Sequence, residues 1–523
     1  MARSSPAGAP LLMGVDAGTT NTKAVIVDTA GRVVAAATEP TPIVYPAPEW
    51  AEYEGETLWR VAAGAVRAAL GQLDDPARVV GVAFAGMAET AVPLDAAGRT
   101  TGPAIAWFDK RTRGELAFIE ERVGKDRLFE ISGLAPEPIF GLCKLLWHRT
   151  HRIEAFERTR KWLNVPDYLA WRACGEMATD YSLACRTFAL DLNALVWSHE
   201  VLEAVDVDPS IMPPLAPSGR ALGTIDARGA AATGLGRHCV VAVGGHDHIV
   251  GAVAADAMRP GVLLHSTGTT EAVLMASDRA GRNPALGRAG YTQGVSFVDR
   301  PVWYAIGGSF TAGAAIEWFK RTIAADADFA TLIAEARDAP PGALGAGFLP
   351  QLRLGTPPEP DAHARGAFFG LSTDLGRGHL FRAVLEGIAI DARLCGEGLL
   401  RLLPAAEPEA VRVIGGLTRN PLYMEIKAAV MGRPITRVDL VDSVAAGAAL
   451  LAGLGAGVHA DLGSGLAAMR PPEVEIRPET ASAAFYDRLV REVFTGAAAR
   501  LRPLHRAAQT ALAGEISPSA PAR

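Results

Sequence analysis

Cysteine is scarce in this 523-residue chain: five residues, irregularly spaced, with no Cys-x-x-Cys pair. A disulfide framework or zinc site is therefore excluded as the organising device, and a reducing compartment is implied. No apolar run reaches the ~18 residues that a membrane span needs. Near the N-terminus, Asp16 cuts the Leu-Leu-Met-Gly-Val run short of a signal-peptide core. A cytoplasmic location is expected. Neither sign of charge is in large excess, and a net charge of −6 gives no reason to expect a nucleic-acid or membrane partner. What remains, 49% hydrophobic and 21% charged residues, suits an ordinary globular protein, whose length calls for two or three domains.

Glycine and threonine are what the chain has in telling places. From Met13 to Asp28 it reads MGVDAGTTNTKAVIVD, two apolar runs joined by a turn of small polar residues. This predicts a β-hairpin whose tip can meet an anion. Gly18 tolerates backbone angles that a side chain forbids, so the N–H groups of Gly18, Thr19, Thr20 and Asn21 can converge on phosphate oxygens. Asp16, ending the first strand, suits a phosphate-bound Mg²⁺, directly or through water. An ordinary hairpin with a polar tip is the alternative. The second copy, VLLHSTGTTEAVLM from Val262 to Met275, repeats strand, turn and strand half a chain later. An internal repeat bears on the whole fold. It predicts a duplicated α/β architecture: two actin-like (ribonuclease H-like) lobes with a cleft between them.

Other segments carry candidate ligands. The buried-strand run Val79–Phe84 ends in a turn bearing Met87 and Glu89, and Ala104–Trp107 runs into Phe108-Asp109. Strand ends of this kind grip small ligands: Glu89 and Asp109 can accept from hydroxyls, and Trp107 offers a stacking face. A surface carboxylate, a core tryptophan and a helix-capping aspartate are the competing readings. Gly141–His151 and Lys161–Cys174 read as helical. Val240–Val243 is a buried strand ending in Gly244-Gly245-His246-Asp247-His248, where Asp247 is either a catalytic carboxylate or a helix cap. The adjacent histidines do not predict a metal site, because sequence neighbours rarely point at one ion. Val411–Ile414 runs into Gly415-Gly416, with Pro421 starting a helix after Asn420. Ser443 opens a helix of small residues suited to close packing.

These pieces resemble the FGGY carbohydrate kinases, the family of glycerol, xylulose, ribulose and gluconate kinases, from about Leu12 to about Gly457. The most specific match is GAFFGLSTDLGRGHLFRAVLE, Gly366 to Glu386; FGLCKLLW is looser, with Gly141 where the family usually has Ser, Thr or Pro. The resemblance implies ATP and Mg²⁺ as cofactors, with Asp16 to Lys23 as the first phosphate motif and Gly268, Thr269 and Thr270 as the second. It implies Asp247 as catalytic base, Gly415, Gly416 and Asn420 as the adenosine motif, and Met87, Glu89, Trp107, Asp109 and His246 at the sugar. Xylulose kinases usually have Gln-Met-His-Gly where this chain has Gly-Met-Ala-Glu. Glycerol kinases have an Arg-Glu pair there, of which Ala88-Glu89 keeps the Glu. Their tyrosine before the lysine signature is Ile139 here. The expected activity is phosphorylation of a small sugar, D-xylulose or another ketopentose first, with glycerol- or erythritol-type polyols as alternative. A non-catalytic sensor and an actin-like ATPase are the readings of other classes. Lobes are expected over residues 11–257 and 258–500, frayed ends over 1–10 and 501–523, and a homodimer is possible as in similar kinases.

Overall fold

Two twisted sheets, one in each half of the chain, organise the computed structural model, which describes residues 8–403 and 407–515. The first hairpin forms as expected from β1 (Leu11–Ala17) and β2 (Asn21–Asp28), with β3 (Val33–Pro40) continuing the antiparallel meander. Helix α1 (Gly55–Leu70) packs its apolar stripe on β2 and β3. Then follow β4 (Val79–Gly86), the edge strand β5 (Ala221–Thr224), β6 (Val240–His246) and helix α2 (Asp247–Ala254). The sheet order is β5-β6-β4-β1-β2-β3, with β1, β4 and β6 parallel. Burial of both faces explains why β1, β4 and β6 read as unbroken apolar runs rather than alternating ones.

The second half repeats this plan. It contains β7 (Val262–Thr267), β8 (Glu271–Ser277), β9 (Thr292–Phe297), β10 (Pro301–Ser309), α3 (Gly313–Thr322) and α4 (Arg377–Leu402). These are followed by β11 (Ala410–Ile414), α5 (Pro421–Met431), β12 (Ile435–Val438), α6 (Ser443–Gly455) and β13 (Glu473–Ile476). Within the order β9-β10-β8-β7-β11-β12-β13, the run β10-β8-β7-β11-β12 matches β3-β2-β1-β4-β6 in order and in direction. The fold is the expected duplicated, two-lobed α/β architecture.

Each half sends one helix across to the other. On α2, Ile249, Ala252 and Val253 pack with Val262, Leu264 and Leu274 of the second sheet. On α6, Ala445 and Ala449 pack with Leu12, Val25 and Val27 of the first. The two helices cross where a Cβ on Gly447 would stand 2.2 Å from the carbonyl oxygen of Val250. The small residues of the Ser443 helix thus serve close packing, as its sequence predicts.

Two local expectations are corrected. Lys161–Asn164 is not helical but a strand antiparallel to Ala91–Leu94. That pairing carries Trp162 and Leu163 into the core, and only Val165–Cys174 is helix. Beyond Leu501 the chain is helical within Ala497–Glu515 instead of frayed, because Gln509 and His363 tie it to the lobe. Of the ends, residues 1–7 and 516–523 lie outside the described residues.

Candidate active site

Both hairpin tips face outward with polar groups to spare. Gly18 N–H donates to Asn21 O (3.1 Å) and Gly268 N–H to Thr270 O (2.8 Å), so the second turn closes one residue tighter than the first. Among the described residues, the N–H groups of Thr19, Thr20, Thr269 and Thr270 have no protein acceptor, as a phosphate cradle requires. The tips are held from behind. Tyr53 Oη donates to Thr19 O (3.0 Å) and Trp107 Nε1 to Thr19 Oγ1 (2.9 Å), while the α3 N–H groups of Gly313 and Ala314 donate to Gly268 O and Thr269 O.

At the junction of β6 and α2, near enough to Asp16 of the first hairpin for their charges to interact, stands Asp247, with a side chain 27% exposed. It is the first helical residue and not the N-cap, which is His246. Its Oδ1 accepts from His248 N–H (2.6 Å) and lies 3.2 Å from His246 Nε2. Burial works against its ionisation, but the imidazoles of His248 and His246 outweigh it and hold the carboxyl at about 2. Asp16 is the opposite case. Burial, then the charges of Asp247 and Asp442, push its carboxyl well up against Lys23, and its Oδ1 is buried with no partner. An orphaned buried carboxylate beside two like charges is a place a cation fits. No cluster of three or more His, Cys, Asp or Glu among the described residues could hold a metal by itself, which leaves water and phosphate as the remaining ligands. Asp442 caps α6 through Ala445 N–H and pairs with Lys23 Nζ at 2.9 Å; the cap is readable in sequence, the pairing with Lys23 is not.

On the sugar-motif side, Glu89 sits in a left-handed turn (φ 57°), a conformation a non-glycine residue holds only when its surroundings enforce it. Its carbonyl accepts from the fully buried Lys144 (2.7 Å), and its carboxylate pairs with Arg186 Nε. Arg186 Nη1 then reaches Thr292 Oγ1 of the second lobe (3.4 Å). Neither Arg186 nor Thr292 stands out in the sequence; a single arginine inside TDYSLACRTFALDL carries no local signal. Two expected sugar ligands are withdrawn. Asp109 is fully buried: Oδ2 accepts from Ala51 N–H (2.7 Å), and both its oxygens accept from Arg111. It holds an arginine that stacks on Trp50, and it does not cap the following helix either, whose N-cap is Thr112. Met87, 2% exposed, packs its thioether with the first-lobe core. Trp107 and His246 remain beside the hairpin tip and Asp247 respectively.

At the adenosine motif, β11 ends in Gly415, with φ 103°, where a Cβ would stand only 2.2 Å from Thr267 O, so glycine is obligatory there. Gly416 differs: a Cβ there meets nothing within 4 Å. The packing of the protein itself does not demand that glycine. Asn420 caps α5 through Tyr423 N–H (3.2 Å).

Two hairpin tips with unpartnered N–H groups and an ionised carboxylate, on a duplicated two-lobed α/β fold, fit a phosphotransferase of the sugar-kinase class. The chain belongs to the FGGY family of carbohydrate kinases, whose N-terminal domain model matches residues 11–254 and whose C-terminal domain model matches residues 263–456. It is 32% identical to a xylulose kinase of Klebsiella pneumoniae over 94% of this chain and 100% of that protein. It is also 32% identical to a glycerol kinase of Gloeobacter violaceus over 88% and 91% respectively. The crystal structure of xylulose kinase from Rhodospirillum rubrum superposes with a TM-score of 0.86 at 29% identity, covering 95% of this chain and 100% of that one. The chain is therefore a carbohydrate kinase. No helix among the described residues is long and apolar enough to cross a membrane.

Proposed function

We propose that this kinase transfers the γ-phosphoryl group of ATP to a hydroxyl of a ketopentose, D-xylulose first, with Asp247 as general base. The observation that supports the reaction is the ionised Asp247, whose charge is felt at Asp16 of the first hairpin, together with two hairpin tips whose N–H groups lack protein acceptors. The substrate hydroxyl oxygen attacks the γ-phosphorus, the bond from that phosphorus to the β,γ-bridging oxygen breaks, and ADP leaves. The hydroxyl proton passes to Asp247. A carboxylate held near 2 is a weak base, yet phosphoryl transfer through a loose transition state needs positioning and charge neutralisation more than early proton removal. The first cradle (Gly18, Thr19, Thr20, Asn21, Lys23) and the second (Gly268, Thr269, Thr270) grip phosphates from opposite lobes, and Gly415, Gly416 and Asn420 receive the adenosine. Asp16, with its orphaned buried oxygen, would hold Mg²⁺ through water, which would supply charge neutralisation at the phosphates. We take the lobes as residues 11–257 and 258–500. Glu89, Trp107 and His246 face the sugar.

The xylulose assignment rests on the xylulose kinase relatives. One observation favours a polyol of the glycerol type: Arg186 supplies from a distant segment the arginine that glycerol kinases carry next to the equivalent of Glu89. A coupled ADP-release screen over ketopentoses, ketohexoses, aldonates and polyols decides between them. Asp247→Asn should cut sugar-dependent ADP release by about 10²–10⁴-fold while leaving adenine-nucleotide binding intact; near-normal turnover would sink the base assignment.

A further inference from the structure

Beneath the second hairpin lies a buried polar cluster that phosphoryl transfer does not use. Glu271 follows Thr270 directly as the first residue of β8, and its side chain is 1% exposed. It accepts from His265 Nδ1 of β7 (2.8 Å), from Tyr423 Oη (3.0 Å) and from Lys427 Nζ. Tyr423 and Lys427 stand four residues apart on α5 and so share one face. Burial opposes the Glu271 charge, but Lys427 and His265 hold the carboxyl at about 2. Burial and Lys427 push His265 down to about 4, so it is neutral near pH 7.

The cluster joins two motifs. Helix α5 is the one capped by Asn420, directly after Gly415 and Gly416. In front, Thr267 Oγ1 donates to Ile414 O (3.0 Å), and the backbone of Gly415 closes on Thr267. Behind, Glu271 bonds the hairpin to α5 a full turn past the adenosine motif. Two points fix an orientation that one point leaves free to rotate. Folding alone gives no reason for the second point to be charged: buried ion pairs contribute little net stability relative to well-packed apolar side chains, and their attested use is specifying geometry.

We propose that Glu271, with Lys427 and Tyr423, is a positioning residue for the nucleotide, setting the second phosphate cradle at the correct distance and angle from the adenosine motif. This rests on the reading of those two motifs as nucleotide-binding. The test uses the full chain. ADP binding is measured by calorimetry, together with kcat and both KM values, for Tyr423→Phe, Lys427→Met and the charge-neutral double variant Glu271→Leu/Lys427→Met. The expected result is ADP affinity weakened about 10-fold, KM for ATP raised in parallel, and KM for the sugar and kcat each unchanged within about 3-fold. The double variant should keep the native melting temperature yet stay weak for ADP, which a purely structural role would not produce. Tyr423→Phe removes one hydroxyl and guards against a variant that fails to fold. Unchanged ADP affinity in Tyr423→Phe and the double variant, or equal loss toward ATP and sugar, would overturn the proposal alone. A wild-type chain that binds no adenine nucleotide would overturn the nucleotide reading as well.

Discussion

Asp391, on α4, illustrates what one residue does to the pH response. Burial above all, together with the Glu271 charge, pushes its carboxyl up to about 6 despite a hydrogen bond with Ser309, and its Oδ2 has no partner. Between its ordinary value near 4 and about 6, the native state binds a proton that the unfolded chain releases. Stability is therefore lost as pH rises through that window. Asp391→Asn removes this dependence. Urea denaturation should find the variant more stable than the parent by about 3 kcal/mol at pH 7.5, with the difference vanishing near pH 4. An equal difference at both pH values would mean the effect is packing and not charge. Asp247 goes the other way, held ionised across the neutral range by its histidine neighbours. Two carboxylates of one chain thus stand on opposite sides of their ordinary value because one has imidazoles beside it and the other has only a hydroxyl and a like charge.

At the level of elements, two kinds of glycine can be told apart by what a Cβ would strike. At Gly447 it strikes the Val250 backbone where α2 and α6 cross. Gly447→Ala must therefore separate the helices, at a cost of about 2–3 kcal/mol, although alanine is the better helix former by about 1 kcal/mol. At Gly416 it strikes nothing, so Gly416→Ala should leave the melting temperature within about 2 °C of the parent while raising KM for ATP. Melting curves and ATP titrations on the two variants separate these effects; a Gly416→Ala chain with unaltered KM would remove that residue from the adenosine site. The hairpins show a related economy. Their turns are local, and the second lobe carries the same Gly-Thr-Thr sequence on a turn one residue shorter.

For the whole molecule, the arrangement makes function depend on two lobes meeting one ligand set. Contacts already cross between the halves: Lys23 to Asp442, and the Glu89–Arg186 pair to Thr292. Since each cradle lies on a different lobe, substrate and nucleotide together should draw the lobes closer than either does alone. Small-angle scattering should then record the smallest radius of gyration with both a substrate and a non-hydrolysable ATP analogue present; additive or absent changes would argue for a preformed cleft. The architecture itself is legible in the sequence. Two Thr-rich hairpins half a chain apart, long apolar runs at strand ends and the Gly366–Glu386 segment point to duplicated α/β lobes, because strands, tight turns and helix starts are decided by near neighbours. Lys161–Asn164 reads as helix in sequence because its strand character comes from pairing with Ala91–Leu94 and not from its own spacing.

The amino-acid sequence by itself determined the repeat, the two hairpins and the family, all features written in short stretches of backbone chemistry. Only the tertiary structure decided which polar groups meet. Arg186 finds Glu89 across 97 positions, Lys427 finds Glu271 across 156, and Lys23 finds Asp442 across 419. It likewise decided that Asp109 turns inward to Arg111 and that Met87 belongs to the core. A charged side chain looks the same in sequence whether it ends in water or beside a partner; burial, which makes the partner obligatory, exists only once the chain has folded.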